Sequence, residues 1–236
     1  MALVLCAGGL SAPRAQADGN WYALDPVHTR VAFSIRHAGL SDAIGTVSGS
    51  TGTVYFDPDD WTRTRIDVSV PITRLDLGDS AWTDATLAAN LLDGARHPLA
   101  RFVSERVEPL SDRRARVHGT LTLRGVSRPL VLDAVLNADK RHPLPPFRRT
   151  LGVSAAATLS RADFGIDAWP SVIGDAVALR LEVEATRSRA APQPSAGDTK
   201  AVPDAGAGPA TPAAPDAGDE PATPAASAAR PVESTP

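Results

Sequence analysis

The sequence predicts an all-β domain: an elongated antiparallel β-barrel of about eight strands with one short helix, followed by a disordered C-terminal tail. Three observations predict it. Long segments alternate apolar and polar residues with a period of two, turn-forming residues separate those segments, and the composition changes abruptly near residue 187.

The alternation is clear on four segments. Val31, Phe33 and Ile35 alternate with Ala32, Ser34 and Arg36, and Ile66, Val68, Val70 and Ile72 with Arg65, Asp67, Ser69 and Pro71. Ala115, Val117, Gly119, Leu121 and Leu123 alternate with Arg114, Arg116, His118, Thr120 and Arg124, and Val177 to Ala185 follows the same rule. A period of two marks strands with one apolar and one solvated face. Segments 43–56, 99–108, 127–138 and 148–160 are compatible strands with less regular patterns. Strands of this kind run to about 33 Å at roughly 3.3 Å per residue, a length that favours an elongated barrel over a sandwich.

Turns are signalled at Asp57-Pro58-Asp59-Asp60, Ser111-Asp112, Gly125-Val126-Ser127 and 142–146, where His, Leu and three prolines gather. One helix is predicted, over 80–92, with Asp79 or Ser80 as N-cap and Trp82, Ala85, Ala89 and Leu92 along one side. Trp82 is expected to seal one end of the barrel as core. Ser48-Gly49-Ser50 reads as strand or bulge.

The termini differ from this domain. Residues 188–236 hold 15 Ala and 10 Pro without an aromatic residue, Leu or Ile, too little apolar surface to offset the entropy of ordering, which predicts disorder. The repeated Pro-Ala-Thr-Pro-Ala-Ala at 209–214 and 221–226 is low complexity. The net charge of −3 resides in this tail, and residues 1–187 sum to zero, which argues against a nucleic-acid partner. Residues 1–17 read as a signal peptide, with an apolar Met1–Leu10 and an Ala15-Gln16-Ala17 cleavage pattern, although no cation precedes the apolar stretch. The expected folded domain is therefore 18–187.

A membrane barrel would point its apolar faces at lipid and carry aromatic girdles. Aromatic residues make up 5% of this chain, so the apolar faces are expected to point inward.

With the strands in place, the sequence resembles the YceI-like family of polyisoprenoid-binding, lipocalin-like periplasmic proteins. The resemblance rests on 21–37 (Trp21 to His37), Gly45, Leu91-Leu92-Asp93 with Pro98, Phe102-Val103-Ser104, 117–130, Asp163-Phe164-Gly165-Ile166 and 173–177, in that order. It implies a lipocalin-like barrel with an apolar pocket for a long-chain amphiphile such as a polyisoprenoid, a quinone or a fatty acid derivative. It also implies export, to the periplasm or beyond the cell, which agrees with the signal reading.

With inward apolar faces, Phe33, Ile35, Val68, Val70, Leu121, Leu179 and Leu181 are candidates for the pocket wall. Packed core requires the same residue types, so pattern alone does not separate the two. His37 continues the face of Val31, Phe33 and Ile35 and is a candidate for a rim position that hydrogen-bonds a ligand head group; a satisfied strand-end histidine is the alternative. His28 is expected to lock the turn after Asp25-Pro26. Arg114, Arg116, His118 and Arg124 are expected on a solvated outer face.

No nucleophile elbow, phosphate loop or two-histidine metalloprotease helix is present, and the five histidines are scattered. Neither catalysis, metal nor cofactor is expected. The expected function is binding or carriage of a long-chain hydrophobic ligand, with transient membrane contact. The alternatives are a quinone-holding partner of an envelope redox chain and a structural envelope module without ligand.

Overall fold

A computed structural model describes residues 19–189, all within the first of two units into which the chain divides, at 194/195. The expected signal segment and nearly all of the expected tail lie outside the described residues.

Eleven strands form one sheet. They are β1 (Asn20–Leu24), β2 (Arg30–His37), β3 (Ser41–Ser48), β4 (Thr51–Phe56), β5 (Arg65–Pro71), β6 (Leu75–Asp76), β7 (Leu99–Ser111), β8 (Arg114–Leu123), β9 (Val126–Arg141), β10 (Arg149–Ser160) and β11 (Ile173–Arg187). Every pairing is antiparallel, and the sheet closes through β1 against β11. β1 and β2 run successively along β11, β4 and β3 along β1 and β2, and β5 and β6 along β4 and β3. The first six strands are thus three long staves, each broken once. With β7 to β11 they make an up-and-down barrel of eight staves, the expected fold.

Each break has a local cause. In the first, Asp25 turns the chain: its Oδ1 accepts the amides of Val27 and His28 at 2.8 and 3.2 Å. Its Oδ2 faces His28 Nδ1 at 2.8 Å, so His28 braces the turn through the Asp25 side chain, whereas bonds from the His28 side chain to backbone were expected. The second break, at Gly49, has φ +80°, and the third is a 3-10 turn, Ile72–Arg74.

The Asp25–His28 pair predicts a pH effect. The hydrogen bond that His28 donates to Asp25, then the Asp25 charge, raises the His28 pKa above the ordinary 6.5. A raised pKa stabilises the folded state below 6.5, and that contribution is lost as pH rises through the folded value. NMR titration is expected to place the His28 midpoint above 6.5, and Asp25→Asn to return it toward 6.5. An unchanged midpoint in the variant would remove the pair as its cause.

Helix α1 spans Ser80–Leu87, five residues shorter than predicted, and Asp79 is its N-cap, accepting the Trp82 amide at 2.9 Å. The apolar pattern continues to Leu92, but the chain folds back. Ala88 O accepts the amides of both Leu91 and Asp93, and Asp93 has φ +51°. Asp93 is buried and holds Arg96 through Nε at 2.6 Å. Trp82 differs from expectation too: it is 40% exposed and stands edge-on to His37 at 5.6 Å rather than filling the core.

The loops divide the barrel into two ends. The β2–β3 turn, α1 with the chain around it, the β8–β9 turn and residues 161–172 gather at one end, the mouth. At the other, the base, lie the β4–β5, β7–β8 and β9–β10 connections and both ends of the described chain. Arg124 departs from its expected solvated face: it follows β8 with φ +51° and donates to Gly165 O and Ala89 O, joining two mouth segments. His118 does lie on the outer face, against Glu108 at 3.2 Å.

Candidate functional site: an apolar cavity plugged at its base

Inside the barrel lies one cavity of about 360 Å³. Its wall comes from the inward residues of every stave: Val31, Phe33 and Ile35 on β2, Val68 and Val70 on β5, Leu121 and Leu123 on β8, Leu179 and Leu181 on β11. Room for it comes from small inward side chains. Ala43, Ala100, Ala115, Ala134 and Ala155 line the same space, where a strand of larger residues would fill the axis. Gly45 serves Phe33 directly. A Cβ there would collide with the Phe33 ring, so the missing side chain leaves that ring its place beside β3.

The structure brings all eight sequence-selected residues, Phe33, Ile35, His37, Val68, Val70, Leu121, Leu179 and Leu181, to this one cavity. Each of the eight is only partly buried although it faces inward, because it borders open space. Phe102, Val117, Leu130 and Leu132 line the same cavity but are buried, and Leu121, Leu179 and Leu181 pack against them.

The base is closed by polar and aromatic groups. Tyr22, fully buried, donates its hydroxyl to Asp139 Oδ1 at 3.0 Å. Arg149 holds the same carboxylate with Nε and one terminal nitrogen, both at 2.8 Å. Phe56 and Trp61 meet edge-on beside them at 5.6 Å, and both line the cavity. Burial, then the Asp139 charge and hydrogen bond, raise the Tyr22 pKa above 10, while the Asp139 bond raises that of Arg149. The hydroxyl therefore remains protonated and the guanidinium charged at neutral pH.

The mouth is different. His37, Trp82, Thr86, Leu91 and Leu92 line the cavity there. Arg161, which sequence reasoning missed, lines it too while only 5% exposed. The available signal was parity: Val153, Ala155, Ala157 and Leu159 point inward, and Arg161 is the next residue on that face. Around the mouth, apolar side chains face outward. Leu40 is 86% and Trp169 52% exposed, and Val172 is bonded through its carbonyl to Ala38 N at 2.6 Å. Among the described residues no three His, Cys, Asp or Glu side chains converge as a metal cluster would.

The described residues thus form a closed antiparallel barrel around an apolar cavity, the architecture of the lipocalin-like class of barrels. Residues 22–185 match the YceI-like domain, and the chain belongs to the YceI-like family. It is 33% identical over 165 residues to a UPF0312 protein of Pseudomonas savastanoi, covering 70% of this chain and 85% of that protein. A UPF0312 protein of Pectobacterium atrosepticum is 28% identical over 162 residues, covering 69% and 83%. Among solved structures, Burkholderia cenocepacia BcnA matches with a TM-score of 0.62 at 18% identity, over 68% of this chain and 98% of that one. A polyisoprenoid-binding domain from Saccharophagus degradans, implicated in plant cell wall breakdown, matches with a TM-score of 0.53 at 13% identity, over 71% and 98%. These structural matches carry the fold.

Proposed function

We propose that this barrel binds and carries a long-chain hydrophobic ligand, a polyisoprenoid, quinone or fatty acid derivative, in the cell envelope, without catalysis. The observation that carries the reading is the partly exposed inner wall. Apolar side chains that face inward yet border open space are a standing cost, and burying them against a hydrocarbon chain is worth roughly 25 cal/mol per Å². The His37 ring, at the mouth end of the wall and without a hydrogen bond to another described residue, is the candidate contact for a polar head. The polyisoprenoid-binding domain among the structural neighbours supports the isoprenoid class.

Leu40, Trp82, Trp169 and Val172 around the mouth support loading by transient contact with a membrane, where exposed Trp rings favour the interface. Cosedimentation with lipid vesicles tests that contact, and a Leu40→Ser variant that sediments as fully as wild type would remove Leu40 from it. Export to the periplasm or beyond follows from the Ala15-Gln16-Ala17 pattern and is tested by the mass of the mature protein, expected to begin at Asp18.

Extraction of natively purified protein followed by mass spectrometry tests the central reading. A prenol, prenyl ester or fatty derivative at near one per barrel is the expected result. A quinone would favour a role in a redox chain. Failure both to retain lipid and to bind added long-chain probes would leave a structural module.

A further inference from the structure

Two inward faces turn polar at the same end of the cavity. On β2, Val31, Phe33 and Ile35 lead to His37, and on β10, Val153, Ala155, Ala157 and Leu159 lead to Arg161. The two polar residues meet through one neighbour. Ile173 is the register partner of His37, and its carbonyl accepts an Arg161 terminal nitrogen at 2.9 Å.

Arg161 is an unusual cation. Its guanidinium is held by three backbone carbonyls, Gly174 O at 2.9 Å, Ile166 O at 2.7 Å and Ile173 O at 2.9 Å, and among the described residues no carboxylate forms an ion pair with it. Those bonds use three of its five N–H groups and fix its orientation. Asp175 feels its charge: hydrogen bonds from the Ala162 amide and Ser160, then the Arg161 charge, hold that carboxyl below its ordinary pKa. That carboxylate is exposed on the outer side and occupied by the Ala162 amide at 3.0 Å. Arg36 also lines the cavity, but Asp42 offsets it at 3.1 Å. Arg161 is therefore a cation without an ion-pair partner among the described residues, in the wall of a low-dielectric cavity, where charge acts over longer distances than in water.

From this we infer that the mouth selects for an anionic oxygen head, a phosphate or carboxylate, over the neutral alcohol of the same chain. The inference rests on the ligand-binding reading above. The chain lies along the apolar wall, its head oxygen reaches His37, and the fixed Arg161 charge stabilises the negative form.

The test uses the full-length wild-type protein, so it does not depend on a variant that would lose three loop-bracing hydrogen bonds. Affinities are measured by calorimetry below the aggregation limit of each probe, for farnesyl monophosphate against farnesol and palmitate against hexadecanol. At least tenfold tighter binding of the anion in a pair is expected, with the advantage shrinking in 0.5 M salt, where the screening length falls to about half its physiological value. The phosphate and carboxylate pairs show which head is preferred. His37→Ala is expected to weaken the anion several-fold, and a variant that binds the anion as tightly as wild type would remove His37 from the head contact. Equal affinity within both pairs overturns the head-group inference alone, whereas binding of none of the four probes overturns the ligand-binding reading with it.

Discussion

Leu179→Trp is expected to lower the affinity for a long-chain ligand at least ~tenfold, about 1.4 kcal/mol, while leaving the melting temperature nearly unchanged. Leu179 sits on the inward face of β11 in register with Phe33 on one side and Ala157 on the other. Its side chain borders the cavity, so a larger ring enters open space instead of displacing packed neighbours. Overpacking a filled core costs about 1–3 kcal/mol, which makes the two readouts opposed. Calorimetric melting and a ligand titration on one variant decide between them. A large drop in melting temperature with unaltered affinity would mean that Leu179 is packed core and that the ligand lies elsewhere.

At the base, Asp139→Ala is expected to cost about 3 kcal/mol, read as a shifted urea midpoint or a melting point lower by roughly 6–12 °C. The carboxylate satisfies the fully buried Tyr22 hydroxyl and pairs with Arg149, so its loss orphans a buried donor and a cation together. Adding Tyr22→Phe to Asp139→Ala removes the orphaned hydroxyl and should restore part of the loss; a purely additive double variant would refute the coupling. Tyr22 also imposes an alkaline limit. Its raised pKa stabilises the fold fully below 10, and the contribution is lost as pH rises from there through the folded value.

The two expectations differ in how far the sequence could anticipate them. Leu179 was legible because strand alternation needs only neighbouring residues, and the same parity sorted seven apolar wall positions and His37 without any knowledge of the ring. What alternation does not carry is the distance across the barrel. Whether Leu179 faces packed atoms or a gap depends on residues such as Ala115 and Ala134 on other staves, whose small side chains leave the axis unfilled. Tyr22 and Asp139 are 117 residues apart, and nothing local in either segment marks the other as its partner. Arg161 lay between these cases. Its parity was readable, but it falls just past the end of β10, where alternation has no further strand to confirm it. The helix shows the reverse failure: apolar spacing to Leu92 promised five more helical residues, and the fold-back at Ala88 depends on a buried Asp93 that amphipathic spacing cannot register.

One consequence follows from the arrangement of ends. The described chain begins beside β11 and finishes there, with Ser188 N still bonded to Trp21 O at 2.8 Å, at the plugged base. A barrel grafted to a sensor surface through either terminus would therefore present its opening to the liquid, and analytes would reach the cavity without passing the attachment chemistry. Circular permutation that moved the termini to the β2–β3 turn would reverse this polarity and place the graft across the opening.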